Sequence, residues 1–324
     1  MHLQSWNRFV LRTFAVGLSL LGATHTWQMD DAAVELRLPS AEKIEKDRKY
    51  DNPVGRLSSW LDGSPLEYCI LQVDVRVFAE ARVELPSEVL TRSPNAYDLI
   101  PQARQDDLET VATRHRAIAE MAYEYWLSVM RWVCDDYRIG RPDVVGNQSG
   151  WTTYLHERSS DTPIWGASRH IVIEGLHCVS DDEWQRAQEL VCQGAHMPIY
   201  LAQRQDAEAL LAQRDYRRCT IDLCIAAETF LREKVWASLP STLADDVRTY
   251  VEKANIDQYI KNFFPTLLDQ EQTSLYKSEL LRRLKELFES RNKIMHAGAR
   301  NLVSFEGCSA HLHAVRSLFA LGLR

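Results

Sequence analysis

The 324-residue chain lacks a basic surplus, a regular cysteine pattern and the common nucleotide-binding motifs. Its formal net charge of −7 argues against a protein that coats nucleic acid by bulk electrostatics, since such proteins carry excess Lys and Arg. Seven scattered cysteines without C-x-x-C indicate neither a disulfide framework nor a zinc ribbon, and they favour a cytoplasmic location. The motifs G-x-x-x-x-G-K-[ST], G-x-G-x-x-G and H-E-x-x-H are absent. The sequence therefore gives no support for, in the same order, nucleoside triphosphate hydrolysis, dinucleotide redox chemistry or zincin proteolysis.

Apolar runs long enough to cross a bilayer are also missing. The run over residues 14–23 spans ten residues, which is too short for a membrane helix. Arg8 and Arg12 precede it, as in a secretory signal, but no A-x-A cleavage site follows. Two interpretations stay open: an exported protein with a signal in residues 1–23, or a buried strand or helix of the first domain. We expect no membrane partner.

Acidic residues are concentrated in the first part of the chain. Residues 1–199 carry 20 Lys/Arg and 29 Asp/Glu, whereas residues 200–324 carry 18 and 16. Composition and pattern both change across residues 194–198, a turn-rich segment typical of a domain boundary. We therefore predict an α+β protein, with a mixed α/β module over residues 1–197 and an all-helical domain over residues 198–324.

The N-terminal module contains strand and helix patterns. Apolar and charged residues alternate over residues 68–85, which predicts a long strand or a hairpin. Residues 106–136 lack Gly and Pro and have apolar positions every three or four residues, which predicts one long amphipathic helix. Ser180-Asp-Asp-Glu183 has the form of a capping box that opens a short helix, and residues 170–174 are β-like. By elimination, this module senses a trigger, regulates the second part or widens a dimer interface.

The second part has helical spacing over residues 200–238, 243–254, 256–263 and 273–297, and a last helix from about Ser304. Glu228 and Arg291 occupy positions of the apolar stripes, where a charge costs several kcal/mol unless it is paired or solvated. One interpretation is a structural ion pair between these two residues. The other is a functional site, because Asn292 and His296 share one helix edge beside Arg291.

The segment Glu289-Ser-Arg291-Asn292-Lys-Ile-Met-His296 resembles the R-x(4–6)-H signature of HEPN domains, including the polar residue after the arginine. Residues 215–233, which include Glu228, resemble the first core helix of that family. The resemblance covers about residues 200–324 and leaves the N-terminal part unassigned. It implies a HEPN-like helical bundle that acts as a metal-independent endoribonuclease, commonly a toxin or antiviral effector, with two motifs meeting in a homodimer. We expect no metal ion and no organic cofactor.

The motif residues suit this chemistry. In RNA cleavage the 2′-hydroxyl attacks the adjacent phosphorus while protons leave that oxygen and reach the departing 5′-oxygen. We expect His296 to be the general acid or base and Arg291 to stabilise the phosphoryl charge. We expect Asn292 to orient the imidazole or a phosphate oxygen, and Glu228 to hold Arg291. The candidate residues along the RNA path are Lys293, Arg300 and Arg283, and the alternative that stays open for each is an ordinary solvated helix face.

Three hypotheses about function follow. The first is a ribonuclease whose partners are RNA, a second copy of the chain and an antitoxin or other defence-system protein. The second is a catalytically silent HEPN-like module for dimerisation or ligand sensing, in which Arg291→Ala strands Glu228 and sharply lowers thermal stability. The third is the exported protein described above. Cys308, His311 and His313 are close in sequence but do not share one helix face, so helix packing is expected there rather than metal binding.

Overall fold

A computed structural model of the chain describes residues 4–11, 13–40, 54–57, 67–79, 100–141, 152–156, 163–168, 177–297 and 303–321. The chain divides into two compact units, Met1–His196 and Met197–Arg324, one residue before the predicted boundary. The architecture is α+β, with antiparallel sheets in the first unit and a largely helical second unit. No helix in these ranges is both long enough and apolar enough to span a membrane.

Within the described ranges, the strands of the first unit form two four-stranded sheets and a separate strand pair. One sheet has the order β1-β7-β4-β3 and is antiparallel throughout. The other has the order β10-β2-β6-β5, in which β10 runs parallel to β2, and β8 pairs with β9. The strands are β1 (Ser5–Val10), β2 (Ala15–Gly17), β3 (Thr24–Met29), β4 (Ala32–Arg37), β5 (Val54–Leu57), β6 (Glu67–Ile70), β7 (Gln72–Phe78), β8 (Thr152–His156), β9 (Pro163–Ser168) and β10 (Cys178–Val179).

The described residues of this unit also form two helices, α1 (Gln102–Cys134) and α2 (Asp181–Cys192). Every second residue of β4 and β7 is buried, as side chains alternate between the faces of a strand. Helix α1 contributes Ala119, Ala122, Trp126 and Met130 to the same core at the three- and four-residue spacing of a helix face. The predicted long helix is therefore confirmed.

The expected single strand or hairpin over residues 68–85 is wrong for the described residues. Strands β6 and β7 separate at Leu71 and belong to different sheets. Strand β2 pairs with β6 and strand β1 pairs with β7, so the chain also changes sheets between β1 and β2. Thr13, in this connection, adopts a φ of 56°. Each strand alternates on its own side of the corner, with Tyr68 and Ile70 buried before it and Val73, Val75 and Val77 buried after it, so the buried positions change phase there. Residues 80–85 and the β-like run 170–174 lie outside the described residues.

The apolar run over residues 14–23 is part of the core. Phe14, Ala15 and Val16 are fully buried, and Leu18–Leu20 forms a 3₁₀ turn. The capping box is also confirmed: Ser180 Oγ accepts from Glu183 N at 3.2 Å, and Ser180 N donates to Glu183 Oε2 at 2.9 Å. These hydrogen bonds satisfy backbone groups that the first turn of α2 leaves open.

A buried histidine joins α1 to α2. Trp126 Nε1 donates to His25 Nδ1 at 2.9 Å, and the other ring nitrogen of His25 contacts the Trp184 carbonyl at 3.0 Å. The imidazole also stacks on the Trp184 ring at 3.7 Å between centroids. Burial lowers the pKa of His25 from 6.5 to about 4, and the hydrogen bond to the Trp184 carbonyl opposes this shift. The neutral imidazole, which accepts one hydrogen bond and donates the other, is therefore the form that stabilises the fold.

We predict that the first unit loses stability as pH falls from 6.5 to about 4. The unfolded chain binds a proton at His25 in this window and the folded chain does not, so unfolding is favoured by up to about 3 kcal/mol. Denaturant unfolding followed by tryptophan fluorescence measures the effect, because Trp236 is the only tryptophan of the second unit. His25→Gln, which can still accept from Trp126, should flatten this pH slope. An unchanged slope in the variant would refute the assignment.

The second unit is a bundle with its own core, which includes Phe230, Tyr259, Phe264, Tyr276 and Leu318. Its helices are α3 (Ile199–Ala212), α4 (Tyr216–Ser238), α5 (Asp245–Lys253), α6 (Ile256–Gln258), α7 (Gln270–Leu275), α8 (Leu281–Ala297) and α9 (Phe305–Leu321). Short π-helical segments, Tyr259–Phe263 and Tyr276–Leu280, extend α6 and join α7 to α8.

The helical spacing over residues 200–238 belongs to two helices rather than one. The chain breaks between α3 and α4, where Arg214 adopts a left-handed φ of 64°. Asp215 then caps α4, since its side chain accepts from Arg218 N at 3.1 Å. Neither Gly nor Pro marks this break, and the capping aspartate is the only local signal of it.

A buried carboxylate links α9 to α3. Arg316 donates through Nε and Nη2 to Glu208 Oε1 at 3.1 and 2.9 Å, and Arg204 Nε lies 3.5 Å from the same oxygen. The side chains of Glu208 and Arg204 are only 2% and 6% exposed. Removing one member of such a buried group takes away an opposite charge in a medium of low polarity.

We predict that Glu208→Ala destabilises the second unit by about 3–5 kcal/mol, because Arg204 stays buried without this carboxylate. Calorimetric unfolding of the full chain measures the loss. Glu252→Ala, at an exposed position, is the control and should change stability by less than about 0.5 kcal/mol. Equal effects of the two substitutions would contradict the role given to Glu208.

Candidate functional site

The motif residues lie on the last two turns of α8. The buried stripe of this helix consists of Leu284, Leu287, Phe288 and Ile294. Arg291 has the spacing of this stripe but is only half-buried, and Met295, one turn further, is 60% exposed. The last turn of α8 is therefore covered on one side only, where Ile294 is buried, while Arg291 is partly exposed and Met295 reaches solvent.

Arg291 lies near α4. Cys224 Sγ on α4 contacts the Leu287 carbonyl at 3.5 Å. Burial raises the pKa of the Cys224 thiol, the positive charge of Arg291 opposes this shift, and the negative charge of Glu228 adds to it. Arg291 and Glu228 are thus both within electrostatic range of one buried thiol at the contact between α4 and α8.

The expected ion pair between Glu228 and Arg291 does not form, which corrects the role predicted for Glu228. Glu228 Oε1 instead accepts from Arg232 Nε and Nη2 at 3.0 and 2.9 Å, one helical turn along α4. Arg232 also lies over the Tyr259 ring, 4.7 Å from its centroid. The Glu228 side chain is 30% exposed, so its charge is paired and partly solvated without Arg291. Within the described ranges, Arg291 has no side-chain hydrogen bond or ion pair.

Asn292 and His296 lie on an exposed edge of α8, four residues apart. Neither side chain makes a hydrogen bond to any other part of the chain that the structure describes. Lys293 is exposed on the following face and adds a positive charge. A half-buried guanidinium, an exposed amide and an exposed imidazole thus occupy one helix end, where they can contact a ligand from solvent.

Of the other predicted RNA-binding residues, Arg283 does not join this group. Arg283 is ion-paired with Glu279 and Glu286, each at 3.4 Å. It precedes His296 by thirteen positions on the same helix, which corresponds to roughly 20 Å along the axis. Arg283 instead lines a separate cleft with Leu275, His313 and Leu321. Arg300 lies outside the described residues.

Two features near the motif were not predicted from the sequence. Arg232 was not singled out, although its position four residues after Glu228 is the spacing of a helical ion pair and could have indicated it. The exposure of Met295 depends on where the neighbouring helices end, and no local pattern carries that information. As expected, Cys308 and His311 are buried on α9 and His313 is exposed. Cys308 Sγ donates to the Tyr216 carbonyl at 3.2 Å, which is a packing contact between helices.

Comparison of the chain with profiles of known protein families, with curated protein sequences and with solved structures gives no match. The functional argument therefore depends on the chemistry and placement of the residues at the end of α8.

We predict that Arg291→Ala changes the stability of the second unit by less than about 1 kcal/mol, because Glu228 keeps Arg232 as its partner. Arg232→Ala should cost more, about 1–2 kcal/mol after allowance for solvent screening, since it removes the partner of Glu228 and a contact to Tyr259. Thermal unfolding of both variants measures the difference. A larger loss for Arg291→Ala would restore the structural interpretation of that residue.

Proposed function

We propose that the second unit is a HEPN-like endoribonuclease that cleaves RNA without a metal ion. The observation that carries the proposal is that Arg291, with no ion pair in the described chain, lies beside exposed Asn292 and His296 at one helix end. A half-buried arginine kept without a carboxylate partner is available to bind an anion, and a phosphodiester offers the oxygens that its planar fork binds.

Each side chain has a distinct part in the proposed reaction. Arg291 binds the non-bridging oxygens and stabilises the charge that builds on them as the 2′-hydroxyl attacks phosphorus. His296 exchanges a proton with the attacking or the departing oxygen, and its exposure gives a substrate direct access to both ring nitrogens. Asn292 holds the imidazole or a phosphate oxygen in the required orientation. Lys293 attracts the RNA backbone.

The proposed enzyme works as a homodimer. Cleavage requires one proton to leave the 2′-oxygen and another to reach the 5′-oxygen, whereas each chain contributes one histidine at this helix end. Two motifs that face each other supply both groups. The expected partners are RNA, a second copy of the chain and an antitoxin or other defence-system protein, in a cytoplasmic toxin or antiviral role.

Cleavage of total RNA by the purified full chain in the presence of EDTA tests this proposal. We expect products with cyclic phosphate ends, and we expect His296→Ala and Arg291→Ala to lower the rate by about 10²–10⁴-fold, the range for loss of a proton-transfer or charge-stabilising group. His313→Ala and Arg282→Ala are matched controls, since both residues are exposed in the same unit away from the motif.

Two results would contradict the proposal. Equal cleavage by wild type and by folded His296→Ala would show that the activity comes from elsewhere. RNA that the wild type binds but never cuts, whether or not the chain is dimeric, would favour the catalytically silent module.

A further inference from the structure

Three side chains of the first unit that are distant in sequence meet where α1, β10 and α2 come together. Cys134 is the last residue of α1, His177 immediately precedes β10, and Glu183 lies in the first turn of α2. One ligand atom from each, a sulfur, an imidazole nitrogen and a carboxylate oxygen, lies within 4.8 Å of the other two. His177 Nε2 and Glu183 Oε1 are 2.8 Å apart.

The three atoms suit a tetrahedral metal ion. Zinc bonds of about 2.0–2.3 Å place neighbouring ligand atoms roughly 3.3–3.6 Å apart, so the cluster needs only small side-chain shifts to surround one. Thiolate, imidazole and carboxylate together form a donor set that Zn²⁺ accepts in proteins. This set has three members, which leaves a fourth position.

The surroundings of the cluster hold one ligand in place. Glu183 Oε2 accepts from both the backbone nitrogen and the hydroxyl of Ser180, each at 2.9 Å, and this leaves Oε1 directed at His177. Hydrogen bonds of this kind orient ligating side chains in metal sites. Cys134 is buried while His177 and Glu183 are half-buried, so a cation can enter from solvent and reach a shielded sulfur.

Negative charge lies close to the Cys134 sulfur, from Glu183 within the cluster and from Asp136, which is also ion-paired with Arg138. A bound cation replaces the thiol proton, as metal ions do at coordinating thiols. The C-terminal end of α1 adds the negative end of the helix dipole at Cys134.

We propose that Cys134, His177 and Glu183 bind Zn²⁺, with water in the fourth position. On binding, the thiol releases its proton to solvent. The proton between His177 Nε2 and Glu183 Oε1 also passes to solvent, and the imidazole holds a proton only at Nδ1, so that the sulfur and Nε2 both present lone pairs to the metal. The ion then ties the end of α1 to the first turn of α2. This inference does not depend on the function proposed for the second unit.

Titration of the chelator-stripped, reduced full chain with Co²⁺ tests the site. We expect saturable binding of a single ion, with a sulfur-to-cobalt charge-transfer band in the near ultraviolet, d–d bands of tetrahedral intensity and displacement by Zn²⁺. Cys134→Ser should abolish the charge-transfer band. Cys192→Ser removes an exposed thiol at the end of α2 and is the matched control, which should keep the band.

A second variant keeps the test decisive if Cys134→Ser does not fold. Glu183→Gln retains a side chain that can complete the capping box but loses the anionic ligand. Loss of an outer hydrogen-bond partner costs about 10–100-fold in metal affinity, and we expect Glu183→Gln to weaken Co²⁺ binding by more than about 100-fold. Absence of a saturable charge-transfer band in the wild type, or unchanged affinity in Glu183→Gln, would overturn the proposal.

Discussion

The register of α8 against α4 is the constraint on which the candidate site depends. Burial of Leu284, Leu287, Phe288 and Ile294 fixes the rotation of α8, because turning the helix would expose this apolar stripe to water. With the rotation fixed, Arg291 lies at the edge of the stripe, and Asn292 and His296 lie on the adjoining exposed edge. Hydrophobic packing thus determines which polar groups meet at the end of the helix.

The same packing explains how the unit tolerates charged residues at stripe positions. Glu228 is satisfied within its own helix by Arg232, and Arg291 lies near the end of α8, where its side chain stays half-exposed. Where a charge is deeply buried, as at Glu208, two arginines surround it. Arg291 is therefore the exception among these groups in the described part of the unit. A cation that is not needed for internal pairing can bind an external anion.

Sequence patterns predicted the elements better than their ends and partners. Unbroken helical spacing predicted α1, the capping box predicted the start of α2, and Ser304 marks the start of α9. The break at Arg214 and the corner at Leu71 escaped prediction, since neither Gly nor Pro marks them. The corner depends on the strands that pair on each side of it. The motif predicted which residues share the end of α8. The partner of Glu228 and the cluster of Cys134 with His177 depend on how separate elements meet, which spacing does not encode.

The central claim is that the residues at the end of α8 promote attack of an RNA 2′-hydroxyl on the adjacent phosphorus. The most direct test uses one RNA strand that the full chain cuts at a defined position, and the same strand with a single 2′-deoxy substitution at the nucleotide 5′ to that position. The account predicts that both strands bind with similar affinity and that only the unsubstituted strand is cut at that position. Cleavage of the substituted strand there at a similar rate would contradict it.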